Sequence, residues 1–110
     1  NEGRYDRSLL VSPDTLLTDW GPSAPAQLTE AHLNAVRDLQ PEVVLLGTGP
    51  RQVFPGRALM LSLIRAGIGL EVMDTASACR TYNVLMAEGR RVVAALIIAG
   101  GEVSAQRQGR

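Results

Sequence analysis

Lysine is missing from the 110 residues, cysteine and histidine occur once each, and the aromatic side chains are one Trp, two Tyr and one Phe. A single cysteine excludes a disulfide framework. With one histidine it cannot furnish the usual four-ligand zinc set without unusual help from carboxylates, so no metal and no cofactor are expected. The same count makes the reducing cytoplasm the expected compartment. No run approaches the roughly 20 apolar residues that cross a bilayer. The segment from Asn1 to Arg7 is too polar for the apolar centre of a signal peptide, and a soluble chain without membrane insertion is expected. Eleven basic residues balance eleven acidic ones, so no broad positive field favours nucleic acid. The chain begins at Asn1 rather than Met; a processed or trimmed N-terminus is expected, with room for a lost upstream partner of the first strand.

What is present fits one compact domain over residues 1–110. Every basic residue is Arg, the side chain suited to a planar, bidentate grip on carboxylate or phosphate, although composition does not say where guanidinium groups converge. With few aromatics the core must be built from Leu, Val, Ile and Ala. A sheet of such residues needs both faces covered, and any uncovered face invites association, so a homodimer is a further expectation.

Along the chain, Leu9, Leu10 and Val11 form a short apolar run stopped by Pro13 and Asp14, and with Leu16, Leu17 and Trp20 they predict a hairpin from Ser8 to Trp20. Thr29 can cap a helix whose apolar positions are Leu33, Val36 and Leu39, with Leu28 stapled onto Leu33 and Pro41 ending it. Glu42 to Gly47 is a continuous apolar run, the pattern of a strand covered on both faces, and is expected to be the central strand. A second helix is predicted over Arg57 to Ala66, with Leu59, Leu63 and Ala66 broadened by Met60 and Ile64, and Gly67 as its stop. A strand over Leu70 to Met73 leads to a third helix capped by Asp74 or Thr75, with an inner stripe of Ala78, Cys79, Tyr82, Leu85 and Met86. Arg90 to Ile98 returns as another apolar strand. The fold class is therefore α/β: a β-α-β-α-β core of central parallel strands joined by right-handed crossovers, plus an N-terminal β-hairpin. Residues 99–110 read as a polar, frayed tail.

Candidate chemistry concentrates in two places. Gly47, Thr48 and Gly49 follow the central strand, where open α/β sheets place ligand loops, and Arg51 is the only charge in that loop. The dinucleotide pattern fails at Gln52, and Phe54-Pro-Gly56 stands where a Walker A loop needs Gly-Lys-Ser/Thr, so a tight structural turn is the favoured reading. The second place is the start of the third helix, where Asp74, Thr75, Ser77, Cys79, Arg80, Thr81, Tyr82 and Asn83 bring hydroxyls, a carboxylate, a guanidinium and an amide together. Capping explains Asp74, Thr75 and Ser77 but not the rest. Cys79 lies near the positive end of the helix dipole, yet its place on the apolar stripe predicts an inert, buried thiol, slow to label in the native state. His32, on a separate helix, reads as a surface imidazole rather than its base. Arg80 is expected to be partly buried and to tie the third helix to the Gly47 loop, because a cation near a helix N-terminus needs an offsetting partner.

Three ordered segments together, Val44-Leu-Leu-Gly-Thr-Gly-Pro-Arg-Gln-Val-Phe54, Gly67-Ile-Gly-Leu-Glu-Val-Met-Asp-Thr75 and Ala78-Cys-Arg-Thr-Tyr-Asn-Val-Leu85 followed by Glu88-Gly-Arg-Arg-Val92, resemble the domain of unknown function 498 family. That family includes the mitochondrial complex I assembly factor 3. The likeness extends to Tyr5-Asp-Arg-Ser-Leu-Leu-Val11 and Trp20, nearly the whole chain. It implies a three-layered α/β domain, no established enzymatic activity in the free-standing bacterial members, and action through protein partners in the eukaryotic relative. The matching motif positions are Gly47, Thr48, Gly49, Arg51, Met73, Asp74, Thr75, Cys79, Arg80, Thr81, Tyr82, Asn83, Glu88 and Arg90, and none brings an assigned catalytic role. No catalytic constellation is complete, so the sequence leans away from an enzyme and towards an interaction or assembly module with a protein partner. The alternative is a protein that binds a small anion or metabolite, as an enzyme or otherwise, between the Gly47 loop and the Asp74 to Asn83 helix start.

Overall fold

A chain that turns at Pro13 and Asp14 folds its first apolar run back on itself. In a computed structural model, which describes residues 7–98, β1 (Leu9–Ser12) pairs antiparallel with β2 (Thr15–Thr18), Ser12 facing Thr15 across the turn. A short 3₁₀ turn at Pro25–Gln27 precedes α1 (Glu30–Arg37). Then follow β3 (Val43–Gly47), α2 (Arg57–Arg65), β4 (Gly69–Met73), α3 (Thr75–Ala87) and β5 (Val92–Leu96). The expected tail at 99–110 lies outside the described residues.

The five strands form one sheet in the order β2-β1-β5-β3-β4. β3 is parallel to β4 on one side and to β5 on the other, whereas β1 joins β5 antiparallel. β3 is thus the middle of the parallel trio, but β5 is the middle strand of the whole sheet. Since β3 to β4 steps one way and β4 to β5 steps back past β3, right-handed crossovers require α2 and α3 on opposite faces. They lie so. On one face Leu33 and Val36 of α1 and Leu63 of α2 pack on Leu10, Val44, Leu46, Val93, Ala95 and Ile97. On the other, Ala78 and Tyr82 of α3 cover Leu9, Val43, Leu45, Val92, Ala94 and Leu96. Odd and even positions of β3 and β5 therefore feed two separate cores, which is why both strands are apolar throughout.

Two expected stripes are wider than the faces that pack. Ile64 is 54% exposed and Ala66 is also exposed, because α2 contacts the sheet through the Leu59 and Leu63 row and each further residue turns about 100° away. In α3 the inward row is Ala78, Tyr82 and Leu85, so Met86, at 40% exposure, faces out.

The α1 entry differs from its expectation at one residue. Thr29 caps the helix as predicted, its hydroxyl accepting from His32 N at 3.4 Å, but His32 completes a capping box, its Nδ1 accepting from Thr29 N at 3.0 Å. The imidazole is half-buried rather than a surface group, set edge-on to Trp20 with ring centroids 5.9 Å apart. Backbone amides of Val44, Leu45, Val93 and Ala94, in the two fully buried strands, are expected to exchange with deuterium only through global unfolding. Exchange there as fast as in β2, whose four residues are all exposed, would contradict this layering.

Candidate functional site

Parallel strands end together, and here the ends of β3 and β4 bring the Gly47–Pro55 loop against the start of α3. The joint is Thr75. Its N–H donates to the Gly49 carbonyl at 2.8 Å, its Oγ1 accepts from Gly49 N at 2.7 Å, and the same hydroxyl donates to the Ile97 carbonyl at 2.9 Å. Ile97 N in turn donates to the Gly47 carbonyl at 2.8 Å. One side chain thereby links the loop, the helix and the exit of β5. Gly47 is required at this joint, since a Cβ there would lie 2.9 Å from Thr75 Cα, a backbone atom that cannot swing aside.

Inside the loop, the buried Thr48 donates its backbone N–H to Met73 O at 2.9 Å. Its hydroxyl donates to Arg51 O at 2.6 Å and accepts from Val53 N at 3.0 Å. Gln52 Nε2 donates to Val72 O at 2.9 Å, tying the loop to β4, the strand at that edge of the sheet. The amides of Thr48, Gly49 and Val53 thus already donate within the protein, which is the behaviour of a structural turn rather than of a cradle with amides aimed at a ligand. Arg51 projects as an exposed side chain.

Asp74 caps α3, its carboxylate accepting from Ser77 N at 3.0 Å and Ser77 Oγ at 2.6 Å. Those bonds, assisted by the charge of Arg80, hold its pKa below the ordinary carboxylate value. A negative group accordingly already occupies the helix start.

The predicted block separates here into inward and outward members. Tyr82 is buried in the α3-side core, and burial, then the charge of Asp14, raises its phenol pKa. Thr81 is half-buried, while Cys79, Arg80 and Asn83 are exposed. Arg80 is therefore not the buried organiser that the sequence suggested: Nη2 donates to Ser77 Oγ at 3.0 Å, and the offset to the helix dipole comes from the Asp74-Ser77 cap rather than from the loop. The tie between helix and loop is made by Thr75 in its place.

Cys79 is likewise exposed rather than in the core, one residue round the helix from Ala78. Partial desolvation nevertheless raises its thiol pKa, outweighing the nearby Arg80. Native-state labelling with a thiol reagent is expected to go to completion without denaturant, at a rate still climbing as the pH approaches 9.0, the ordinary thiol value. Labelling only after unfolding would restore the buried reading.

Two residues missed from the sequence stand in the second half of the loop, ahead of α2. Phe54, the only phenylalanine in the chain, is 62% exposed, and Val53 beside it is 41% exposed. The available signal was an aromatic residue ahead of Pro55-Gly56 in a segment too short to fold over it.

A family model described as "Protein of unknown function (DUF498/DUF598)" matches residues 1–97. The chain belongs to that family. Its relatives include the 13 kDa major membrane protein of Francisella tularensis subsp. holarctica (strain LVS), 31% identical over 98 residues, which are 88% of this chain and 80% of that protein. NADH dehydrogenase (ubiquinone) 1 alpha subcomplex assembly factor 3 of Rattus norvegicus is 32% identical over 111 residues, covering 99% of this chain and 60% of the relative. This chain thus spans about three fifths of the length of the rat assembly factor. Among solved structures, the NMR structure of a Xanthomonas campestris protein superimposes with a TM-score of 0.84 at 46% identity, over 92% of this chain and 76% of the other. No helix among the described residues is long and apolar enough to cross a membrane.

Proposed function

We propose that this domain is a non-enzymatic interaction module that works by holding a protein partner, as the names of its assembly-factor relatives suggest, and that it does so in the cytoplasm. The observation that carries this reading is Phe54, a lone aromatic held 62% exposed beside Val53 in a loop braced by hydrogen bonds of Thr48, Gln52 and Thr75. An aromatic side chain on a braced backbone loses little conformational entropy on burial, and such residues dominate the energetics of protein interfaces. Arg51, exposed in the same loop, supplies a polar group of the kind expected at the rim of such a contact.

Burial of both sheet faces bears on self-association. The apolar strands are covered by helices, and the exposed leucines lie on β2 at the sheet edge, Leu16 at 52% and Leu17 at 42%. Pairing of two copies through that edge is compatible with a free Phe54 loop, because β2 and β4 flank opposite sides of the sheet. A small-anion pocket at the loop-to-helix joint receives less support, since the Asp74 carboxylate and the internal donation of the loop amides both oppose an anion there.

The test is affinity capture from lysate of the source organism on immobilised wild-type domain and on Phe54→Ser. A stoichiometric protein retained by the wild type and lost from Phe54→Ser, at unchanged melting temperature, is the expected result. No stoichiometric protein on the wild-type domain, or equal capture by both, would overturn the proposal.

A further inference from the structure

The opposite end of the parallel strands holds a cleft of about 270 Å³ between the β1-β2 turn and the turn that joins α3 to β5. Arg90, Arg91 and Asp14 are its charged lining residues, and Leu39, Met86 and Val93 are among the apolar ones. Both arginines are held through Nε. Arg90 donates to Glu42 Oε2 at 2.9 Å, and Arg91 donates to the Gln40 carbonyl at 3.0 Å. Glu42 also accepts from Arg91 N at 3.2 Å, so one carboxylate fixes the backbone and side chain of the pair. Hydrogen bonds to Arg91 N and Arg90 keep that carboxylate ionised below its ordinary pKa.

Anchoring through Nε leaves the terminal amino groups of both guanidinium forks without a partner among the described residues. Arg90 is ion-paired to Glu42, whereas Arg91 Nε rests on a neutral carbonyl and its guanidinium has no ion pair among the described residues. An arginine fork already oriented loses less freedom on gripping a carboxylate. The cleft is smaller than the usual range for drug-sized ligands, about 300–1,000 Å³. Asp14, in the same lining, disfavours a second negative group.

We infer that this cleft is a binding site for a small organic monocarboxylate, with its carboxylate on Arg90 and Arg91 and a short apolar body against Leu39, Met86 and Val93. The site is independent of the Phe54 loop and stands or falls separately from the interaction reading.

Butyrate, succinate, isobutanol and inorganic phosphate, titrated at constant ionic strength into the ¹⁵N-labelled protein, test it. Butyrate should give saturable NMR shifts at Leu39, Val92, Val93 and Asp14, with a Kd in the millimolar range expected for so few atoms. Isobutanol, which keeps the apolar body without the charge, should give none, and succinate and phosphate should bind more weakly than butyrate. Arg91→Gln should weaken butyrate at least about tenfold, a loss of about 1.4 kcal/mol, while Arg57→Gln on α2 leaves it unchanged. Asp14→Asn should bring succinate up to the affinity of butyrate, a readout that does not depend on folding of the arginine variant. The inference is overturned if butyrate gives no saturable shift, if phosphate binds as tightly, or if Arg91→Gln folds and binds as the wild type does.

Discussion

Leu45→Ala is expected to cost about 2–5 kcal/mol and to shift the urea midpoint of unfolding strongly downward. Leu45 is fully buried in β3, between β4 and β5, with Ala78 and Tyr82 of α3 closing over it. The neighbours are small or already committed, so they cannot collapse into the space that Ala leaves. Against a total stability of about 5–15 kcal/mol for a typical domain, the loss would leave a marginal protein. Leu17→Ala on the exposed β2 edge is the control and should change stability by no more than about 0.5 kcal/mol. Comparable losses from both variants would mean that the helices do not cover the sheet as described.

The second large effect is expected at the joint between loop and helix. Thr75→Val keeps the shape of the side chain but removes the hydroxyl, leaving Gly49 N without its acceptor and the Ile97 carbonyl without its donor. Orphaned groups of this kind cost about 1–3 kcal/mol each where they are shielded from water, so a loss of about 2 kcal/mol is expected. Gly47→Ala should cost about 1–3 kcal/mol by a different route, since its Cβ would meet Thr75 Cα. Thermal or urea unfolding measures both. Because the clash would push Thr75 away from the loop and so already weaken the bonds its hydroxyl makes, the double variant should lose less than the sum of the single losses. Strict additivity would show that Gly47 and Thr75 do not form a single joint.

Legibility in the sequence followed the range of the interaction. The hairpin was readable because Pro13 and Asp14 carry their turn locally, and β3 and β5 were readable because burial on both faces leaves no polar position in Val43–Leu46 or Val92–Leu96. The placement of β1 beside β5, antiparallel in an otherwise parallel neighbourhood, was not, since periodicity carries no information on which strands pair. In α3 the apolar residues outnumber the positions that one helix face can bury, and only packing decides that Ala78 and Tyr82 go in while Cys79 and Met86 stay out. Arg80 was misplaced for a related reason. Its charge needed an offset, but a three-residue step back to Ser77 and Asp74 supplies one on the helix itself. Thr75 was readable as a cap and in the structure bonds across three chain segments, a role that depends on tertiary contacts.

The candidate site was legible as a location more than as a set of roles. Gly47, Thr48, Gly49, Asp74 and Thr75 do converge, yet their polar groups bond mainly to one another and to neighbouring backbone. Phe54 and Val53, which carried no weight as a chemical motif, are the large apolar groups left exposed in that loop.

The most direct measurement is the equilibrium affinity of the protein captured on the wild-type domain, once purified, for wild-type domain and for Phe54→Ser, with the melting temperature of each recorded alongside. A central aromatic anchor is worth about 2 kcal/mol or more, so Kd should rise by more than about tenfold at unchanged melting temperature. Equal affinities for the two proteins would contradict the account and move the interaction surface away from the Gly47–Pro55 loop.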